Sequence, residues 1–263
     1  FVPIVILSVL SYTHIQNQLK DQTVVRLRQL TKSIGMSVYE RLELLESELR
    51  LLSPNLLAEN GTAVGRIVLE RADNSTHRFQ GFTLIADDDR QVPLEGRLET
   101  VPSLTLEEKR QLHTGRSVIR VISQETGIPR IQLGLRTVIG SGTPGILIGE
   151  VDTTYLWGIG QQYNLPPATE LTIIDHRGNV LISSLADITE LAHKSASVER
   201  DRTTHHFAWQ NDEEIYLACY WDLFLKSHFE AGHWTIVLSQ ARDDALAIIR
   251  DFKYDFPLTL LFA

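Results

Sequence analysis

The sequence predicts an α+β fold in which a long N-terminal helix precedes two tandem modules, each built on an antiparallel sheet. Three observations carry that expectation. Apolar residues recur, mostly in steps of three or four, at Ile15, Leu19, Leu27, Leu30, Ile34, Val38, Leu42, Leu45, Leu49 and Leu52, which is the stripe of one helix face. From residue 79 onward the pattern changes to short runs of strand-forming residues bounded by Gly, Pro, Asn and Asp. The order of elements over residues 75–163 (a two-strand hairpin, a helical stretch, a three-strand meander) then returns over residues 168–240 without residue identity.

The helix comes first. Residues 1–10 form an apolar run, unbroken after Pro3, that flows into a stalk helix over residues 13–53 and ends at Ser53-Pro54. At 1.5 Å per residue the stretch 13–52 reaches about 60 Å, so it needs partners along its length. The opening run is shorter than the roughly 20 residues that cross a bilayer. A second short apolar run, FPLTLLFA at 256–263, follows a charged exit helix at 241–255. The two ends read as the close of one transmembrane helix, residues 1–12, and the start of another, residues 256–263, with a domain held between them. The alternative is that both are core segments of a soluble protein.

Residues 56–74 carry a modest apolar face, Val64, Ile67 and Val68, suited to one or two short helices. Residues 79–86 (FQGFTLIA) read as a strand, Asp87-Asp88-Asp89-Arg90 as a polar turn, and residues 91–94 as the returning strand. A helix follows over 103–114: Ser103 or Thr105 caps it, Glu107 and Glu108 sit in its positive first turn, and Gly115 ends it. Strands at 117–123, 130–139 and 145–152 have short connections, which makes them antiparallel neighbours. A short helix over 153–163 and the linker Leu165-Pro166-Pro167 close this module, assigned to residues 54–163. The second module, residues 164–240, has a strand at 170–175, a turn at 176–179 and a strand at 180–184. A weak helix or loop over 185–197 and strands at 205–210, 215–224 and 234–240 complete it.

Composition narrows the function. The chain is 43% hydrophobic and 22% charged, ordinary for globular protein, and its net charge of -8 argues against a nucleic-acid surface, which needs a basic patch. Cys219 is the only cysteine, so an intramolecular disulfide is impossible; it reads as a small buried residue rather than a nucleophile. His205 and His206 are adjacent on a strand and point to opposite faces, poor geometry for one metal ion. His228 and His233 flank a loop and read as solvated. The Asp87-Asp88-Asp89 run lacks the spacing of a calcium loop. No G-x-S-x-G, P-loop or H-E-x-x-H pattern occurs, so neither enzymatic activity nor a cofactor is expected of this segment.

Side chains alternate along the meander strands, so one face carries Val118, Arg120 and Ile122, then Gln132, Gly134, Arg136 and Val138, then Ile146, Ile148, Glu150 and Asp152. Arg120, Gln132, Arg136 and Asp152 interrupt otherwise apolar strands. Buried ionised groups are costly unless paired, so either they pair internally, as Arg136 with Asp152 or Glu150, or they await a charged ligand. Tyr155 and Trp157 offer either an aromatic wall or packing for the short helix that follows.

The long helix, the hairpin GFTLIAD at 81–87, the run GILIGEVD at 145–152, the hairpin LTIIDHRGNVLISS at 171–184 and WTIVLSQ at 234–240 together resemble a double Cache domain. This is the tandem PAS-like extracytoplasmic sensor module of bacterial chemoreceptors, sensor histidine kinases and cyclic-di-GMP enzymes. The resemblance implies two PAS-like sheets, recognition of a small molecule in the first, membrane-distal module, and a homodimer through the long helix. It implies a protein of the bacterial inner membrane, sensor facing the periplasm or exterior, whose exit helix signals to a cytoplasmic kinase, diguanylate cyclase, phosphodiesterase or receptor coiled coil. Amine and amino-acid sensors of the family carry a Tyr and an Arg-Trp-Tyr cluster ahead of the meander, and an Asp at the end of its last strand. Asp152 stands where that Asp would, whereas residues 92–120 contain no Tyr or Trp and depart from the pattern. The candidate ligand-binding set is Arg120, Gln132, Arg136, Asp152 and Tyr155. The alternative function is an ectodomain that binds a protein partner and has no small-molecule site.

Overall fold

The structure, a computed structural model, describes residues 2–56, 78–95, 101–124, 127–139, 143–158, 165–185, 190–191, 205–211 and 214–242. The short helices expected at 56–74, most of 185–197, the C-terminal half of the 153–163 helix and the exit helix with its apolar end lie outside those residues. Helix α1, Val2–Leu56, is 55 residues long. It passes the expected stop at Pro54 by two residues. Among the described residues no helix is long and apolar enough to cross a membrane. The chain divides into two compact units, one of Met36–Asn164 with Leu223–Trp234, the other of Phe1–Gly35, Leu165–Asp222 and Thr235–Ala263.

In the unit of Met36–Asn164, β1 (Phe79–Ala86), β2 (Gln91–Glu95), β3 (Val118–Ile122), β4 (Arg130–Ile139) and β5 (Thr143–Val151) form one antiparallel sheet in the order β2-β1-β5-β4-β3. The first hairpin strand thus pairs with the last meander strand. Five consecutive residues of β1 are buried, as a strand covered on both faces requires. One face meets α1: Val38, Leu42, Leu45 and Leu49 are fully buried, and Ser53 hydrogen-bonds Thr137. Gly149 is what lets that helix approach, since a Cβ there would stand 2.8 Å from the Phe79 ring and 3.3 Å from Leu49. The other face lies under a strap, residues 101–113, ending in helix α2, Leu106–His113. Val101, Leu104 and Leu112 of the strap pack on Ile85, Val118 and Ile148. Thr105, the second of the two expected caps, makes a capping box with Glu108.

Helix α3, Thr153–Trp157, follows β5. Further along, Leu223–Trp234, with the one-turn helix α4 (Lys226–Phe229), also belongs to this unit. His228 is exposed, as expected, and also bonds Glu46 of α1 at 2.5 Å, because Phe229 is buried against Tyr39 and carries its neighbour onto the helix.

The other unit repeats the plan. β6 (Thr169–Asp175), β7 (Val180–Ser183), β8 (His206–Asn211), β9 (Glu214–Leu223) and β10 (Trp234–Ala241) take the order β7-β6-β10-β9-β8. Central β10 is buried along its whole length, while edge strand β8 alternates. The turn between β6 and β7 is held by Asp175, whose Oδ1 accepts from the backbone of Arg177 and Asn179 at 2.8 Å each. One face packs Phe207, Trp209, Ala218, Tyr220 and Val237 around Leu191. Against the other, Lys32 of α1 stands over Trp221, and Cys219 donates to the Val24 carbonyl. Cys219 is fully buried, and burial pushes its thiol up to about 12. A thiol so protonated does not react: alkylation by iodoacetamide at pH 8 is expected only after denaturation, and labelling of the native chain at a rate near that of the unfolded one would contradict this environment.

Candidate functional site

Strand register builds the site. Arg120 of β3 lies opposite Gln132 of β4, Gln132 opposite Glu150 of β5, and Glu150 opposite Gly81 of β1. Three polar side chains thus form one row across the strap-covered face, at positions where the flanking residues, Val118 and Ile148, are core. All three are buried, with 7%, 0% and 5% of their surface exposed. A polar row at that depth must be accounted for bond by bond.

Arg120 is the row's most connected member. Its Nε donates to Glu108 Oε1 at 2.9 Å, its Nη2 to the Ser103 carbonyl at 3.1 Å and its Nη1 to Gln132 Oε1 at 3.4 Å. The guanidinium therefore pins the strap to the sheet from two strap positions. Glu108 is itself pre-set, because its other oxygen accepts from the Thr105 backbone at 2.7 Å in the capping box. At the other end of the row, Arg130 donates to Glu150 at 3.4 Å. Gln132 differs: its Nε2 is buried and has no hydrogen-bond partner. The amide cannot be turned round to cure this, since a guanidinium offers only donors and needs Oε1 facing it.

Of the five expected site residues the structure brings two together, Arg120 and Gln132. Arg136 shares their face but lies opposite Ile146, four positions along β4 from Gln132, at an exposed end of the sheet. Its Nη1 donates to the His113 carbonyl at 3.2 Å, and it borders a pocket of about 20 Å³ with Ile85, Asp87 and Leu112, room for about one water molecule. Register places Arg136 roughly 13 Å from Glu150 along the strands and roughly 20 Å from Asp152, so neither of the ion pairs considered for it forms. Asp152 is the N-cap of α3, accepting from the Thr154 backbone at 2.9 Å. Tyr155 lies under the Arg78 guanidinium, 4.9 Å from it, and Arg78 pairs with Glu48 of α1. Glu108, Ser103 and Arg130 were not expected at the site. The one sequence signal for Glu108 was the capping-box spacing from Thr105, which also aims its second oxygen outward.

No protein-family model and no curated protein matches the sequence. Solved structures do. The ligand-binding domain of the Pseudomonas fluorescens chemoreceptor CtaA in complex with L-serine superposes with a TM-score of 0.61 at 14% identity, covering 85% of this chain and 99% of that one. The ligand-binding domain of the Campylobacter jejuni chemoreceptor Tlp3 in complex with L-norvaline gives 0.59 at 12% identity, covering 87% and 94%. The CtaA domain in complex with L-leucine gives 0.60 at 12%, covering 88% and 99%. The likeness extends over nearly the whole of each chain at an identity too low to speak for more than architecture. The fold of this chain, a long helix with two PAS-like antiparallel sheets, is the double Cache fold of those chemoreceptor sensory domains.

Proposed function

We propose that this chain is the extracytoplasmic small-molecule-sensing region of a membrane-anchored signal-transduction protein, and that it is not itself an enzyme. The observation that carries the reading is the buried row Arg120–Gln132–Glu150 beneath the strap, with an amide donor left unmet, in a fold whose solved examples include domains in complex with L-serine and L-norvaline. A buried donor without a partner costs about 1–3 kcal/mol, which a ligand acceptor returns on binding. Such a ligand favours the arrangement of strap and sheet that suits it and shifts the population accordingly. In this reading the module of residues 54–163 is membrane-distal, that of 164–240 membrane-proximal, and the exit helix at 241–255 passes the change to a cytoplasmic output domain across the bacterial inner membrane.

A homodimer through α1 fits the same picture. Its exposed apolar residues Ile15, Val25, Met36, Leu44 and Leu51 fall within a sector of roughly 100° around the helix. The test is thermal unfolding of the chain in the presence of amino acids, organic acids, amines, purines and sugars. A ligand at 100 times its Kd should stabilise by about 2.7 kcal/mol, or several degrees, with the shift abolished in Gln132→Leu. A broad panel without a single stabilising compound would sink the sensor reading and favour a protein-binding ectodomain.

A further inference from the structure

We infer that the strap over the sheet and the segment Leu223–Trp234 are one coupled element, joined through the carboxylate of Glu46, so that freeing either one loosens the other. The coupling lies within the unit of Met36–Asn164 and holds with or without a ligand, so it stands apart from the sensing function proposed above. The strap ends in a fixed corner. Helix α2 closes with Gly115 donating to the Leu112 carbonyl at 3.0 Å and Arg116 to the Gln111 carbonyl at 3.3 Å, the paired bonds of a Schellman motif. The next residue, Ser117, is fully buried at the entry to β3. A shift of α2 is therefore carried through this motif straight to Ser117.

Glu46 of α1 meets both partners. Its Oε1 accepts from the Ser117 hydroxyl at 2.6 Å, and its Oε2 contacts Nε2 of His228 at 2.5 Å. Arg50 braces the same junction, donating to Glu46 Oε1 at 2.7 Å and to the Gly115 carbonyl and Ser117 Oγ at 3.2 Å each. Contacts this short have little slack: about 1 Å more between Ser117 and Glu46 takes the pair out of bonding range. Among the described residues Glu46 is the acceptor for that hydroxyl, and a buried donor is costly to leave unmet, so the carboxylate follows Ser117. Exposed His228 gives up its contact to water instead. Helix α4 then keeps its apolar anchor, Phe229 against Tyr39, but loses this polar one. A second link joins the same two segments, Arg116 with Glu230 at 3.8 Å; lying at the surface, it adds little strength but acts in the same direction. Because Leu223–Trp234 runs on into β10, movement of the strap has a continuous route of bonds to that strand.

The experiment is hydrogen exchange of the full 263-residue chain, read by mass spectrometry, with the strap released away from Glu46. Arg120→Ala removes the bonds to Glu108 and Ser103 that hold the strap to the sheet. Strap amides at 106–114 should then exchange about tenfold faster, and those of His228 and Phe229, both bonded to the Leu225 carbonyl, about fivefold faster. The amides of β1 and β5 should keep their native rates. In a Ser117→Ala background the same Arg120→Ala change should still free the strap yet no longer reach residues 225–229. Conversely, His228→Ala should speed exchange at 106–114, because coupling between two sites acts in both directions. Where Arg120→Ala does not fold, Glu108→Gln takes its place, since glutamine keeps the capping box and loses only the charge pair. Faster strap exchange with 225–229 at native rates would overturn the coupling. An increase shared equally by β1 and β5 would overturn it too, being a loss of overall stability, as would a response at 225–229 that survives in Ser117→Ala. Native strap rates in both Arg120→Ala and Glu108→Gln have the same meaning, since nothing is then released to be passed on.

Discussion

Replacing Glu46 with alanine is expected to destabilise the unit of Met36–Asn164 by about 2–3 kcal/mol. Glu46 is 7% exposed and gathers donors from three separate parts of the chain. Arg50, one turn on, donates to Oε1 at 2.7 and 3.0 Å; Ser117, at the entry to β3, at 2.6 Å; and His228 of α4 reaches Oε2 at 2.5 Å. Alanine takes an acceptor from each of these; Arg50 keeps the Gly115 carbonyl and Ser117 Oγ, both at 3.2 Å, and the fully buried Ser117 suffers most. Half-exposed Arg50 recovers much of its loss from water, which keeps the figure below that of a wholly buried ion pair.

The same carboxyl sets a pH dependence. Burial alone would raise its affinity for a proton, but the hydrogen bonds from Ser117, Arg50 and His228, with the charge of Arg50, hold it below its ordinary value of 4.5. A depressed carboxyl binds fewer protons folded than unfolded. Its contribution is therefore complete above the ordinary value and is lost as pH falls through the depressed one. Urea unfolding of the native chain and Glu46→Gln should accordingly differ most near neutrality and converge as pH drops below about 4. An equal difference at pH 7 and pH 3 would refute the assignment.

Gly158→Ala should cost about 2–4 kcal/mol, from two independent penalties. Gly158 closes α3 with φ of 66°, where a Cβ strains the backbone. That Cβ would also stand 2.8 Å from both terminal nitrogens of Arg41, which is buried with Nη1 bonded to the Leu156 carbonyl at 3.1 Å. Gly178 separates the two effects: its φ is 86°, but a Cβ there would meet nothing within 4 Å. Gly178→Ala should therefore cost only the backbone penalty, about 1 kcal/mol. Comparable losses in the two variants, measured by urea unfolding, would show that the guanidinium yields without cost.

The sequence by itself determined the elements, their order and the class of fold. The long helix, the paired hairpins, both meanders and the Asp-led turns stand close to where periodicity and turn residues put them, because those signals act between neighbours a few residues apart. It also marked Arg120 and Gln132, since a polar side chain in an apolar strand stands out by pattern alone. Only the tertiary structure decided which polar group meets which. Glu108 reaches Arg120 because the strap folds back across the sheet, and His228 reaches Glu46 across a separation of 182 residues. Asp152, on the right face by alternation, is taken by the helix it caps, and Arg136 emerges where the sheet runs out into solvent. A charged side chain is settled by whatever lies within about 3 Å of its head group, and that neighbour is chosen by the path of chain in between, on which local periodicity is silent.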